Sequence, residues 1–126
     1  MIEVLQGFPN NVVACVAKGH ITKEDYQKVL MPKIERALES NAKIRCYYEL
    51  SPEFKGFDAG AAWEDAKIGI EHLTRWERVA VVTEVEWIAL ATNAFRFLMP
   101  GQVRVFSPAD SVEAKRWITA EQRVVP

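Results

Sequence analysis

Short apolar runs with strand character alternate along this chain with longer stretches whose apolar residues recur at helical spacing. The predicted strands are residues 3–5, 12–17, 44–50, 78–83 and 102–106. Runs 12–17 and 78–83 are apolar on both faces, which is typical of interior strands covered on both sides. Strands connected by single helices pair in parallel through right-handed crossovers. We therefore predict an α/β fold in the order β-β-α-β-α-β-α-β-α, with a five-stranded, mostly parallel sheet whose first, antiparallel strand lies at an edge.

Capping residues mark where the first two helices begin. Thr22, with Asp25 three residues later, has the signature of a capping box, and Pro32 inside the following apolar pattern predicts a kink or a helical restart. Asp58 is the predicted N-cap of the second helix. The predicted buried stripe of that helix consists of Ala59, Ala62, Trp63, Ala66, Ile70 and Leu73. Its predicted outer face carries Glu64, Lys67 and Glu71.

The third helix, predicted from residue 83 or 84 to about Phe97, is apolar on two faces. Between Val85 and Leu98 its only charged residues are Glu86 and Arg96. The two apolar stripes are Trp87, Leu90, Ala94 and Phe97, and Ile88, Ala91, Phe95 and Leu98. One stripe covers the sheet, so the other needs a second surface to bury it. A neighbouring helix, a partner subunit, a nonpolar ligand and a membrane surface all meet this requirement.

Length and charge narrow the class of protein. The chain has 126 residues, which predicts one domain over residues 1–126. Sixteen basic and seventeen acidic residues give a net charge of -1, which excludes nucleic-acid binding driven by bulk charge. No apolar run is long enough to span a membrane, and the first residues do not form a signal peptide. We therefore expect a cytoplasmic protein, either free or held peripherally at a membrane.

The residues with reactive side chains do not form a catalytic signature. Phosphate-binding glycine loops, nucleophile elbows and zinc-ligand spacings are absent from the sequence. Cys15 and Cys46 lie in predicted strands and are expected to be buried free thiols. His72 falls in the last turn of the second helix, where it can cap the helix dipole. Asp65 adjoins Trp63 and lies two turns before His72, but no nucleophile accompanies the pair, so we predict no enzyme activity, no cofactor and no metal.

Several segments together carry a recognisable pattern. They are residues 60–69 (GAAWEDAKIG), His72-Leu73, residues 77–83 (ERVAVVT), Trp87, Phe106, Ala114 and Trp117. This W-x-D-x-K…H-L…R-x-A-V-V pattern resembles the SpoIIAA-like proteins, small bacterial proteins of uncharacterised function. Their fold is similar to the STAS fold of sulfate transporters and anti-sigma-factor antagonists. The resemblance covers nearly the whole chain and implies the same fold.

The resemblance also bears on function. Anti-sigma-factor antagonists carry a phosphorylatable serine at the start of the helix after the third strand. The matching stretch here is Asp58-Ala59-Gly60, which holds the aspartate but no serine, so we predict that kinase-controlled partner switching is absent. The similar proteins imply instead the binding of a nonpolar ligand, or membrane association, through movable second and third helices.

These observations favour a non-catalytic binding or regulatory module with a cleft between the second and third helices. Such pockets combine large apolar walls with a few orienting polar groups. The candidate ligand-binding residues are Trp63, Asp65, Lys67, His72, Trp87, Leu90 and Phe97. A nonpolar small molecule or lipid, a membrane surface and a second copy of the chain are the expected partners. The alternative is a protein-interaction module that uses the third helix as a homodimer or partner surface.

Overall fold

Five strands form one sheet whose spatial order, β1-β2-β3-β4-β5, follows their order along the chain. The computed structural model describes residues 1–120. The strands are β1 (Ile2–Val4), β2 (Val12–Ile21), β3 (Ile44–Phe57), β4 (Trp76–Val82) and β5 (Gln102–Phe106). β1 is antiparallel to β2, and the other three pairings are parallel. The predicted fold class and the edge position of the first strand are therefore confirmed.

Three helices cover one face of the sheet and a fourth covers the other. They are α1 (residues 23–40), α2 (Ala59–Glu71), α3 (Glu86–Phe95) and α4 (Ser111–Thr119). The larger core joins the sheet to α1, α2 and α3, and the smaller core joins its opposite face to α4. Within residues 1–120, no helix has the length and apolar character needed to cross a bilayer.

α1 contains the irregularity that Pro32 predicts. The segment consists of an α-helical turn at Lys23–Asp25, a π-helical turn at Tyr26–Leu30 and an α-helix at Met31–Ser40. The restart at Met31 places Pro32 in the first turn of the α-helical part, where proline is tolerated. The predicted capping box is also present, because the backbone N–H of Thr22 donates to Oδ2 of Asp25 at 2.8 Å.

β2 and β3 both run further than the predicted 12–17 and 44–50. Gly19 has a φ of 64°, a left-handed conformation that glycine adopts without steric cost, and the strand register shifts around it. Beyond this bulge Gly19 pairs with Phe54, and the pairing continues to Phe57. The pairing of β2 with β3 therefore continues past the bulge, beyond the residues that the apolar pattern predicts. As a result, β3 ends at Phe57, just before the start of α2.

The other boundaries differ from prediction by one to three residues. β4 begins at Trp76, and α3 begins at Glu86 and ends at Phe95. The hydroxyl of Thr83 accepts a hydrogen bond from the backbone N–H of Val85 at 2.9 Å. This local bond stabilises a non-helical turn, because short polar side chains compete with helical hydrogen bonding. The helix consequently starts later than its apolar pattern does.

The predicted buried stripe of α2 is wrong. The buried residues of α2 are Ala61, Glu64 and Ile68, whereas the predicted Ala59, Ala62, Trp63, Ala66 and Ile70 are exposed and Leu73 is half-buried. Glu64 is only 5% exposed, so its predicted outer position is also wrong, while Lys67 and Glu71 do lie outside. The physical reason is that α2 contacts the protein through a narrow stripe, and its alanine face borders open space.

Candidate functional site

A cavity of about 350 Å³ lies between α2 and α3, and we call it the α2–α3 cleft. Its walls on the two helices are Ala62, Asp65, Ala66, Ile68 and Gly69 of α2, and Trp87, Ile88, Ala91, Thr92 and Phe95 of α3. Its remaining lining residues are Leu30, Ile34, Cys46, Tyr48, Leu50, Phe57, Trp76, Val79, Val81 and Val103. The lining is overwhelmingly apolar, and the cleft is open to solvent.

Small side chains keep the cleft unfilled, and aromatic side chains close its two ends. Ala62 and Ala66 on one wall and Ala91 on the other leave the middle empty. In the last turns of the helices, a Cβ at Gly69 would lie 3.1 Å from Cζ of Phe95. Near the helix starts, the rings of Phe57 and Trp87 meet edge to face, with their centroids 6.3 Å apart. The two helices therefore touch near their last turns, while at the opposite end the contact to α3 comes from Phe57 of β3.

A hydrogen-bonded chain of three side chains forms the polar part of the cleft. The hydroxyl of Tyr26 in α1 lies 3.0 Å from the hydroxyl of Tyr48 in β3 and 3.0 Å from Oδ1 of Asp65 in α2. An ionised carboxylate only accepts hydrogen bonds, so Tyr26 donates to Asp65. Because its single proton is then committed, Tyr26 accepts from Tyr48. The hydroxyl of Tyr26 thus joins α1, β3 and α2.

The surroundings of Asp65 disfavour its negative charge. Asp65 is exposed to solvent through the open cleft, and protein atoms pack against its carboxyl group on the side of Tyr26. Burial raises the pKa of the Asp65 carboxyl, and the hydrogen bond from Tyr26 opposes that effect. Burial also raises the pKa of both hydroxyls in the chain, Tyr26 and Tyr48. No basic side chain within residues 1–120 forms an ion pair with Asp65.

The two thiols are buried and free, as predicted. Burial raises the pKa of Cys46, which lines the cleft, to about 12 and raises that of Cys15 as well. Both thiols therefore stay protonated near neutral pH, and a thiolate nucleophile is not available from them. No group of three or more potential metal-ligating side chains occurs in the described part of the chain.

The structure brings two of the seven candidate ligand-binding residues, Asp65 and Trp87, into the lining of the cleft. Trp87 is 58% exposed, so one side of its ring faces the cleft region and the rest faces solvent. Trp63, Lys67, Leu90 and Phe97 are exposed outside that lining. Their contribution to binding stays a prediction.

His72, the remaining candidate, is the C-cap residue of α2 and lies outside the cleft lining. Its backbone N–H donates to the carbonyl oxygen of Ile68 at 3.3 Å, and the interaction of its side chain with the helix dipole stays a prediction. Seven residues of helix separate it from Asp65, a spacing of roughly 10 Å along the axis. The two side chains therefore do not form an acid–base pair.

Tyr26 and Tyr48 are site residues that the sequence interpretation did not identify. Tyr26 appears in the sequence only as one apolar position of the first helix, and Tyr48 as one core-facing position of the third strand. The sequence does contain a signal for these two residues, because a tyrosine at a core-facing position has a buried hydroxyl that requires a hydrogen-bond partner. Two core-facing tyrosines and an aspartate beside an alanine-rich face are consistent with a shared polar site.

The outer face of α3 remains uncovered in the single chain. Ile88 is buried on the sheet side, as expected for one apolar stripe. The side chains of Trp87, Leu90, Phe97 and Leu98 are exposed, and Phe97 is 85% exposed. We call these four residues the outer α3 patch. The prediction of a helix with two apolar faces is confirmed, and the second face has no neighbouring helix within residues 1–120.

Comparison with known proteins identifies the family. The family model for SpoIIAA-like proteins matches residues 12–119. A solved structure with a SpoIIAA-like fold, an uncharacterised protein of the DUF3478 family from Shewanella loihica PV-4, is 28% identical. The alignment covers 94% of this chain and 92% of that one, with a TM-score of 0.72. A search of curated proteins found no match to this sequence. The chain belongs to the SpoIIAA-like family, whose function is uncharacterised.

Proposed function

We propose that this protein is a non-catalytic binding module that takes a nonpolar small molecule into the α2–α3 cleft. The observation that carries the proposal is an apolar cavity of about 350 Å³ between two helices, left open by facing alanines. This volume falls within the range of small-molecule sites, which are concave and mostly apolar with few polar groups. The apolar walls of the open cleft face water, so a nonpolar occupant that covers them removes apolar area from water and gains binding free energy.

The proposed binding relies on apolar burial. A ligand between the helices would displace water from Ala66, Ala91 and the inner side of Trp87, and apolar area removed from water stabilises the complex. The edge contact between Phe57 and Trp87 would have to loosen for entry at that end. Because a hydrophobic contact has no directional requirement, small displacements of α3 would adapt the cleft to ligands of different shape.

A cleft-filling variant tests this proposal. Ala91→Phe places a ring in the cleft, whereas Ala94→Phe places the same ring on α3 at an exposed position outside the lining. Binding of an environment-sensitive apolar dye, measured by fluorescence titration, should weaken about tenfold or more in Ala91→Phe and stay within about twofold in Ala94→Phe. Equal dye affinity in the two variants would contradict binding in the cleft.

Native mass spectrometry of protein purified from cells supplies the second test. It should find a bound small molecule on the wild type that is depleted on Ala91→Phe and retained on Ala94→Phe. The same ligand on all three proteins would place the binding site elsewhere.

The outer α3 patch supports a second candidate function, a protein-interaction module. Four large apolar side chains exposed on α3 and the turn that follows it are unusual for a monomer surface and typical of interaction sites. A second copy of the chain is the simplest partner, because two-fold dimers are the commonest oligomers. A peripheral membrane contact through the same patch is the remaining alternative, and the Discussion gives the measurement that separates the two.

A further inference from the structure

Asp65 is a carboxylate without a cation in the wall of an apolar cleft. The titratable groups that face it are neutral: Tyr26 and Tyr48 in its hydrogen-bonded chain, and the thiols of Cys15 and Cys46 across the core. Oδ1 accepts the bond from Tyr26, and Oδ2 accepts no hydrogen bond from residues 1–120. Asp65 is exposed where the cleft opens to solvent, so water hydrates its charge while the cleft is empty. A nonpolar tail in the cleft would displace that water, and the carboxylate would then need an opposite charge.

The hydroxyl protons around Asp65 are already committed. Tyr26 donates to Asp65, and Tyr48 donates to Tyr26. Thr92, on the opposite wall of the cleft, donates its hydroxyl proton to the carbonyl oxygen of Ile88 at 2.8 Å. Three oxygen atoms keep lone pairs that can accept hydrogen bonds from a group in the cleft. They are Oδ2 of Asp65 and the hydroxyl oxygens of Tyr48 and Thr92. The polar part of the cleft therefore presents hydrogen-bond acceptors.

The indole N–H of Trp76 is a buried donor without a partner in the described part of the chain. Trp76 lies five residues before Val81, the strand partner of Tyr48, which is a separation of roughly 16 Å along β4. A group bound at Asp65 does not reach it. This donor consequently does not change the acceptor character of the site at Asp65.

We infer that the α2–α3 cleft selects amphiphiles with an ammonium head group, which binds Oδ2 of Asp65 while the nonpolar tail lies between the helices. This inference rests on the proposed function, and it adds the chemical class of the ligand. An ammonium group has three donors and no acceptor, which matches a site that presents acceptors. It also supplies the cation that Asp65 lacks, and the nonpolar tail displaces cleft water that would otherwise screen the two charges. A carboxylate head meets a like charge and finds no hydroxyl donor.

Burial raises the pKa of Asp65, and a bound ammonium group would oppose that effect because a nearby cation favours the charged form of a carboxyl. Hydrogen bonds to charged groups contribute more than neutral ones, by an amount equivalent to about tenfold or more in affinity. We therefore expect octylammonium to bind at least about tenfold more tightly than octanoate, with octanol between them.

The test uses the full chain and three probes that share one tail: octylammonium, octanol and octanoate. Isothermal titration at about pH 8 keeps the amine protonated, since amines of this kind have pKa values of roughly 10.4. Asp65→Asn retains the side-chain shape and an oxygen for the Tyr26 hydrogen bond, and it removes the charge. Glu71→Gln removes the same charge from an exposed position on α2 outside the cleft lining and is the matched control.

The expected result is an ammonium preference in the wild type and in Glu71→Gln that falls to within about twofold in Asp65→Asn, while octanol affinity changes little. Equal affinity of the wild type for all three probes would overturn the head-group inference and leave the nonpolar binding function standing. An ammonium preference that survives in Asp65→Asn would overturn it too. Failure of octanol and the other probes to bind at all would instead contradict the proposed function itself.

Discussion

The hydroxyl of Tyr26 lies 3.0 Å from Oδ1 of Asp65, and this bond joins α1 to the wall of the cleft formed by α2. Tyr26 is fully buried and belongs to the π-helical turn of α1. π-helical turns occur frequently at functional sites, where they change the direction in which a side chain points. The same hydroxyl contacts Tyr48 on the sheet, so one atom links the helix, the sheet and the cleft.

Removal of the Tyr26 hydroxyl, which lies at the centre of the hydrogen-bonded chain, should lower the free energy of unfolding more than removal of the terminal Tyr48 hydroxyl. Tyr26→Phe leaves both Tyr48 and Asp65 without this partner, and we expect a loss of about 1–3 kcal/mol in the free energy of unfolding. Tyr48→Phe retains the bond between Tyr26 and Asp65, and we expect a loss of about 1 kcal/mol. Urea denaturation of both variants checks the order. A larger loss in Tyr48→Phe than in Tyr26→Phe would contradict the assigned direction of donation.

Asp65 should make stability depend on pH. Its pKa in the folded protein is raised by burial, whereas the unfolded chain has the ordinary aspartate value of roughly 3.9. Between these two values the folded state binds more protons, so the contribution of Asp65 to stability is present below the lower value and lost as pH rises through the higher one.

Asp65→Asn removes this dependence. Relative to the wild type, the variant should gain stability as the pH rises from about 4 to about 7, measured by urea denaturation across that range. A difference between the two proteins that stays constant over the range would contradict a raised pKa for Asp65.

Substitution of three tryptophans that differ in burial should distinguish a side chain that lines the cleft from one that packs in the core. Trp87→Ala removes a half-exposed ring in edge contact with Phe57, and we expect a stability loss of about 1–2 kcal/mol together with weaker dye binding. Trp76→Ala removes a ring that is 5% exposed and should cost about 3–5 kcal/mol. Trp63→Ala, on the exposed side of α2, should change stability by less than about 0.5 kcal/mol, and dye binding to this variant measures the contribution predicted for Trp63.

Thermal or urea unfolding and dye titration of the three variants check this order. A loss of 3–5 kcal/mol on Trp87→Ala with unchanged dye binding would identify that side chain as packing only.

The outer α3 patch should hold two copies of the chain together. Light scattering of the wild type should give about twice the chain mass of 14.3 kDa. Leu90→Glu places a charge in the patch and should yield the monomer, whereas Gln27→Glu, on an exposed position of α1, should not. A dimer that survives Leu90→Glu would use another surface.

A monomeric wild type would leave the patch available to lipid. Because the net charge is -1, vesicle binding would depend mainly on apolar burial and should persist at high salt, which screens charges. Flotation with neutral and anionic vesicles at low and high salt measures this. Binding that disappears with salt would indicate electrostatic attraction instead.

The start of α2 should not be a phosphorylation site. Asp58 caps the helix, with Oδ1 accepting from the backbone N–H of Ala61, and residues 58–60 contain no hydroxyl. Incubation with a kinase of the anti-sigma-factor type, followed by intact-mass measurement, should show no added phosphate. Stoichiometric phosphorylation at Ser51, which lies within β3, would restore the partner-switching role.

The sequence by itself determined the sheet and its helices. Apolar runs of period two and stretches of helical period specify which residues can be buried, and single helices between strands require parallel pairing. Local capping chemistry is equally readable, which is why the expectations for Thr22, Pro32 and Asp58 are confirmed. Asp65 and Trp87 were also identified from the sequence, and both line the cleft.

Only the tertiary structure decided how α2 lies and where the polar site forms. A helical pattern shows which faces are apolar, but it does not show whether an alanine face packs or borders a cavity, because that depends on the side chains of α3 opposite it. The chain of Tyr26, Tyr48 and Asp65 joins residues up to 39 positions apart. Hydrogen bonds between residues so far apart in sequence depend on distances that the packing of the sheet and the helices sets. The local sequence pattern does not specify those distances.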